Sequence, residues 1–255
     1  MASAAPVASA WAPGYAWGRE SADFKTRLNF VPRVFARDEE ETFSGEIHLY
    51  TGHAIASKKF ILPEHSCAKE LRVPLREVLD KVGLESFDGL LEIHAHSTTK
   101  VPDPRLAKFL EVWVDVASRD GKFYISYPAV PNRGQFFKVF TGQYQVWPGI
   151  LMKGPMTSDV VIINANRKPV PIRLALFNAD GESLESLEME APFRSVVQHR
   201  LEEEIPGARA LLEKTGGVGS LRAWFKFKLN AYVMFRNRET GTVSSFDHLS
   251  PYFRR

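Results

Sequence analysis

The chain has 255 residues, 44% of them hydrophobic and 25% charged, which is ordinary for a globular protein and enough for one large domain or two small ones. Its 33 basic and 30 acidic residues leave a net charge of only +3, without the basic excess that phosphate neutralisation requires, so no specific nucleic-acid partner is expected. A single cysteine, Cys67, excludes an internal disulfide framework and a zinc site built from cysteines alone.

Residues 1–22 contain no Lys or Arg before Arg19, and Pro6 and Pro13 interrupt the only apolar stretch, so the charged and apolar regions of a secretory signal are missing. No later run approaches ~20 consecutive apolar residues. The expectation is a cytoplasmic protein without membrane insertion. Trp11, Tyr15 and Trp17 make this segment aromatic for a free tail. It reads as a flexible or docking arm that packs on its own domain or on a neighbouring subunit.

From residue 23 to 131 a first β domain is expected. Glu46-Ile47-His48-Leu49-Tyr50, Glu92-Ile93-His94-Ala95-His96 and Glu111-Val112-Trp113-Val114-Asp115-Val116 alternate polar and apolar residues, the period of half-buried strands. Leu75, Val78, Leu79 and Val82 have helical spacing and predict a short helix over 75–82. Asp88-Gly89 and Arg119-Asp120-Gly121 read as turns. Residues 132–158 hold six Pro and Gly among strand-like aromatics and read as a connecting segment. A second β domain is expected over 159–255. It has a strand at Arg173-Leu174-Ala175-Leu176-Phe177, turns at Asn178-Ala179-Asp180-Gly181 and Glu239-Thr240-Gly241, and one helix over 205–214. That helix has Pro206 near its start and Gly216 after its end. Asp247-His248 reads as part of a closing turn before an aromatic and basic terminus.

The two halves repeat one another. Residues 47–63 align with 172–192, the glycine of Gly89-Leu90-Leu91 with that of Gly219-Ser220-Leu221, and the hairpin at Asp120-Gly121 with that at Glu239-Thr240-Gly241. The offsets are about 120–130 residues. The first half carries an extra loop over 99–108. The expected fold is mainly β: two tandem related antiparallel β-sandwich, jelly-roll-like domains, each with one short helix. The order strand, Asn/Asp-Gly, strand, short helix, Gly-strand, strand, clearest from Val160 to Phe246, resembles the small β-sandwich proteins of the sensory rhodopsin transducer family. That resemblance implies a sandwich and signalling through protein contact.

No GxSxG, HExxH, GxxxxGK[ST] or strand-borne GxGxxG motif is present. Gly216-Gly217-Val218-Gly219 follows a helix and enters a strand, the reverse of a phosphate cradle. Cys67 reads as structural. Residues i and i+2 of a strand share a face, so Glu92, His94 and His96 lie together. If their strand neighbours those of His48 and Asp115, two or three imidazoles and a carboxylate suit Zn, Fe or Mn. The His94-Ala95-His96 pattern also resembles the first motif of cupins, whose following Glu is replaced here by Ser97-Thr98-Thr99-Lys100. In the second half the matching strand presents Arg222, Trp224, Lys226 and Lys228. The basic aromatic face and the acidic, His-bearing face are complementary in charge, and Trp113 and Trp224 are candidate anchors. The leading expectation is a non-enzymatic protein-interaction or assembly module, with a protein partner or homo-oligomer and no cofactor. The alternatives are a metal-dependent enzyme or sensor built on His48, His94, His96 and Asp115, and a carbohydrate-binding module using Trp113, Trp224 and Tyr50.

Overall fold

The computed structural model describes residues 13–31, 42–51, 57–67, 69–97, 111–131, 143–227 and 229–248. They are mainly β, in four antiparallel sheets with few short helices, a β-sandwich class of structure. The chain divides into two compact units, Met1–Val116 with Ser126–Asn132, and Ala117–Ile125 with Arg133–Arg255.

The first run of elements is β1 (Gly14–Glu20), β2 (Phe24–Val31), β3 (Thr42–Thr51), β4 (Lys58–Ser66), β5 (Leu71–Pro74), α1 (Leu75–Val82), β6 (Phe87–Ser97), β7 (Glu111–Ser118), β8 (Tyr124–Pro128) and β9 (Val130–Pro131). They form one sheet in the order β4-β3-β6-β1-β9 and a second in the order β5-β2-β7-β8. The period-two alternation sends Phe43, Ile47, Leu49, Leu91, Ile93 and Ala95 to a buried face. Phe30 of β2 stacks on Phe43 of β3 with ring centroids 5.9 Å apart, tying the two sheets across the core.

The second run is β10 (Gln143–Leu151), β11 (Met156–Asn164), β12 (Val170–Asn178), β13 (Leu187–Ala191), β14 (Ser195–Arg200), α2 (Leu201–Glu204), α3 (Ala208–Glu213), β15 (Val218–Phe225), β16 (Asn230–Asn237) and β17 (Val243–His248). Its sheets run β10-β15-β12-β13 and β14-β11-β16-β17. Trp147, Leu174, Leu176, Leu221 and Phe225 from one sheet and Val160, Ile162, Ala231 and Val233 from the other share a core, to which α3 adds Leu211 and Leu212. Val161, Ile163, Tyr232 and Met234, on the opposite face of β11 and β16, are buried as well. Burial on both faces explains the continuous apolar run Val160-Val161-Ile162-Ile163.

With β10–β17 taken as counterparts of β1–β8, the two units have the same sheets: fourth-third-sixth-first and fifth-second-seventh-eighth, with β9 added beside β1. Residues 14–20, in the segment expected to be a flexible or docking arm, are therefore a strand. β1 pairs with β6 from Gly14↔Ile93 to Glu20↔Phe87. Its aromatics serve the fold: Tyr15 and Trp17 are buried, and Trp17 Nε1 donates to Asp88 Oδ1 at 2.7 Å. Trp11 lies outside the described residues. Residues 143–151, in the expected connecting segment, are the matching first strand of the second unit.

Three local expectations differ from the structure. Asp88-Gly89 is not a turn but lies inside β6. A Cβ on Gly89 would sit 2.2 Å from the Tyr50 carbonyl oxygen, so the glycine serves close strand approach. The helix expected over 205–214 is α3 alone, over Ala208–Glu213; it begins after Pro206-Gly207, where Gly207 takes φ +80°, and a separate short helix, α2, precedes that turn outside the expected range. The expected closing turn around Asp247-His248 is the end of β17, paired through Val233↔Asp247 and Tyr232↔His248. The extra loop over 99–108 lies outside the described residues. Among the described residues no helix is long and apolar enough to cross a membrane.

Candidate functional site

β3 and β6 are neighbours, and their register sets His48 opposite Glu92 and Glu46 opposite His94. The two imidazoles meet diagonally, with ring centroids 5.1 Å apart. Each has a carboxylate. His48 Nε2 is 3.0 Å from Glu46 Oε2, and His94 Nε2 is 3.2 Å from Glu92 Oε1. Buried Glu92 also accepts a hydrogen bond from Tyr15 Oη and another from Tyr50 Oη, both at 3.0 Å. Lys59 Nζ donates to Glu46 Oε1 at 2.7 Å; this bond, with that of His48, holds the Glu46 carboxyl at about 2. The face is thus a ladder of mutually paired polar side chains. The His96 side chain lies outside the described residues; its backbone pairs opposite Ser44.

Asp115 does not join the histidines. β7 belongs to the other sheet of the sandwich, in the order β5-β2-β7-β8. Burial would push the Asp115 carboxyl up, but hydrogen bonds from Ser126, Arg27 and Asn29 together hold it below its usual value. Arg27 NH2 reaches Asp115 Oδ2 at 2.6 Å and Ser126 Oγ reaches Oδ1 at 2.7 Å, so both oxygens are occupied within the fold. Among the described residues no group of three or more His, Cys, Asp and Glu side chains is arranged to hold a metal ion. Cys67 is a buried free cysteine.

In the second unit the same grid position carries different chemistry. β15 lies between β10 and β12, and its register sets Trp224 opposite Arg173 just as His94 stands opposite Glu46. Glu188 of β13 is opposite Arg173, where Ile61 of β4 is opposite Glu46. Here lies a cleft of about 470 Å³, lined by Pro171, Ile172, Arg173, Glu188, Met189, Trp224, Phe225 and Lys226. Arg173, Glu188, Trp224 and Lys226 share its open face, while Ile172, Met189 and Phe225 alternate to the opposite side of the sheet, where Ile172 and Phe225 belong to the core and Met189 packs against it. Its rim is charged. The Arg173 guanidinium stacks 4.3 Å from the Trp224 ring centroid. Among the described residues, neither Arg173, Lys226 nor Glu188 makes an ion pair.

Of the sequence-selected surface residues, Trp224 and Lys226 line this cleft. Arg222 turns to Phe177, with its guanidinium 3.6 Å from the ring centroid. Lys228 lies outside the described residues. Trp113 is 37% exposed on β7, in the first unit. Tyr50, whose hydroxyl donates to Glu92, is on β3 and Trp113 is on β7, in different sheets of the first unit, and Trp224 is on β15 in the second. Arg173, Glu188 and Met189 were not singled out from the sequence. The signal that reveals them is the pairing of β12 with β13 and β15, which strand alternation does not contain.

Fold and site together define a tandem antiparallel β-sandwich with a charge-paired face in one unit and an open, charged aromatic cleft in the other. No protein-family model, no curated protein and no solved structure matches the chain.

Proposed function

We propose that this chain is a non-enzymatic binding module that holds a segment of a partner protein in the Trp224 cleft of its second unit. The observation that carries this reading is the contrast between two matching grid positions. Glu46 is saturated by Lys59 and His48, whereas Arg173, Lys226 and Glu188 stand beside Trp224 on an open face without ionic partners among the described residues. Tryptophan and arginine are the residue types most often dominant in interface energetics. The first unit does not favour metal chemistry, because Glu92 is filled by Tyr15, Tyr50 and His94. A sugar would have to displace Arg173 from the indole face it covers.

The test places a photo-crosslinking amino acid at Glu188, on the open face opposite Arg173, in the full chain, with Asp180 as an exposed control site. Adducts mapping to a recurring partner segment at Glu188, absent at Asp180 and reduced at least about tenfold by Trp224→Ala with an unchanged circular dichroism spectrum, are the expected result. Identical adduct patterns at the two sites would remove the cleft as a binding site.

A further inference from the structure

We propose that the open edge of β10 is a docking site for residues 249–255 of the same chain, which add a short strand to this sheet and cover an edge otherwise open to strand addition. The inference comes from the repeat and is independent of the Trp224 reading. In the first unit β1 is not an edge, because β9 pairs beside it through Gly14↔Pro131 and Tyr15↔Val130. β10 is the counterpart of β1, yet among the described residues it is the last strand on its side, in the order β10-β15-β12-β13. An edge strand presents a row of backbone N–H and C=O groups to any chain that can pair with it, and folded proteins commonly blunt such edges with charge. The opposite edge, β13, carries Glu188 and Glu190, and β4 begins with Lys58 and Lys59. Residues 143–147 of β10 are Gln, Tyr, Gln, Val and Trp, without a charge. Pro148 and the register shift after it confine the open stretch to those residues.

The occupant follows from the connection. β9 comes directly after β8, across the single residue Ala129, whose N–H donates to the Val112 carbonyl at 2.7 Å. The hairpins β7–β8 and β16–β17 close alike, with the Ser118 N–H on the Phe123 carbonyl and the Asn237 N–H on the Thr242 carbonyl. Counting back equally along β7 and β16 makes Ala231 the counterpart of Val112. His248 pairs with Tyr232, so the next residue, Leu249, falls at Ala231 and stands where Ala129 stands. Ser250-Pro251 is then the counterpart of Val130-Pro131, with a proline at the same place in both. Residues 249–255 lie outside the described residues, and the assignment uses only their order in the chain and the strand they follow. The target register is equally defined. Gly14 pairs with Ile93 and Gln145 with Ala223, at matching positions of β6 and β15. Pro251 is therefore assigned to Gln145 and Ser250 to Val146. The same antiparallel register sets Tyr252 at Tyr144 and Phe253 at Gln143, uncharged residues along an uncharged edge, and leaves Arg254 and Arg255 beyond the start of β10. In the first unit the crossing to the neighbouring sheet takes one residue of the same chain, which favours this chain's own segment over a second copy.

Two measurements test the assignment. In the full chain carrying Cys67→Ala, the pair Val146→Cys, Ser250→Cys should form an intramolecular disulfide under dilute native oxidation. The control pair Glu188→Cys, Ser250→Cys, which uses the opposite edge of the sheet, should not. Deleting residues 249–255 should speed hydrogen exchange of the amides of residues 143–147 that β15 does not use by about tenfold or more, with the amides of β13 unchanged. Disulfide-linked dimers in place of the intramolecular bond would give the edge to a second copy and overturn the own-chain assignment. Equal disulfide formation in the control pair, or exchange at β10 unaffected by the deletion, would overturn the docking itself. Where the shortened chain does not fold, the cysteine pairs in the full chain decide alone.

Discussion

Asp159 shows how a charge is kept inside this fold. Its side chain is only 1% exposed, and it accepts from Arg236 Nε at 2.9 Å, Arg236 NH2 at 3.1 Å and Gln198 Nε2 at 3.1 Å. Both oxygens are engaged in a bidentate, charge-assisted pair, which compensates the cost of burial. Removing one partner leaves the other charge buried. Asp159→Leu and Arg236→Met should each cost about 3 kcal/mol, while the double variant should cost at least about 1.5 kcal/mol less than their sum. Urea unfolding of the four proteins measures this coupling, and additive losses would refute it. Asp159 stands out in the sequence only as a charge before an apolar run; the strand that brings Arg236 to it lies 77 residues away. The same limit applies at the cleft. Trp224 and Lys226 are legible from alternation along one strand, but Arg173 and Glu188 arrive from two other strands.

At the scale of the element, the repeated strand that opens with glycine is the clearest common device. Gly89 in β6 and Gly219 in β15 pair with Thr51 and Asn178, at matching points of the two sheets. A Cβ at Gly219 would meet the Phe177 carbonyl oxygen at 2.3 Å, as one at Gly89 would meet that of Tyr50 at 2.2 Å. These are backbone atoms held by a ladder and cannot yield cheaply. Gly219→Ala and Gly89→Ala should each destabilise by about 1–3 kcal/mol, against under about 0.5 kcal/mol for Ser220→Ala one residue further on. Denaturant midpoints of the three variants decide it; a tolerated alanine at both glycines would show that the strands can separate there. The sequence alignment of the halves finds these glycines correctly. It sets residue 47 against 172, whereas the registers through Ile93 and Ala223 set Ile47 against Leu174. Loop lengths blur an alignment, but hydrogen-bond pairing does not.

Across the whole molecule, acid should be the condition that loosens the fold. The Glu202 carboxyl is held at about 2, chiefly by its hydrogen bonds with Arg209. Glu46 is held at about 2 by Lys59 and His48, and Asp115 lies below its usual value. A carboxylate whose pKa is lower folded than unfolded stabilises the native state above its unfolded pKa. That contribution is lost as pH falls through the folded value. Stability should therefore decline between about pH 4.5 and pH 2. Because Glu202 sits at a partly solvated rim, Glu202→Gln should remove about 1 kcal/mol at neutral pH and flatten the acid decline. Urea unfolding of wild type and variant across this range checks both statements; parallel pH profiles would mean that Glu202 titrates normally in the native state.

Alternation, turn glycines and the repeated order of segments by themselves determined a mainly β chain with two related sandwiches and a helix in each crossover. Those features are local, set by the two-residue period of a strand and the backbone freedom of glycine. Tertiary structure alone decided which strands are neighbours. It took Tyr15 and Trp17 out of an arm and into a sheet, and set a separate short helix, α2, ahead of Pro206-Gly207 and α3. It placed Asp115 in a different sheet from His48 and His94, and brought Arg173 and Glu188 to Trp224. The physical reason is that a strand leaves its backbone hydrogen bonds to be completed by distant segments. The chemistry of a β-sheet face therefore depends on pairings that no single stretch of sequence encodes.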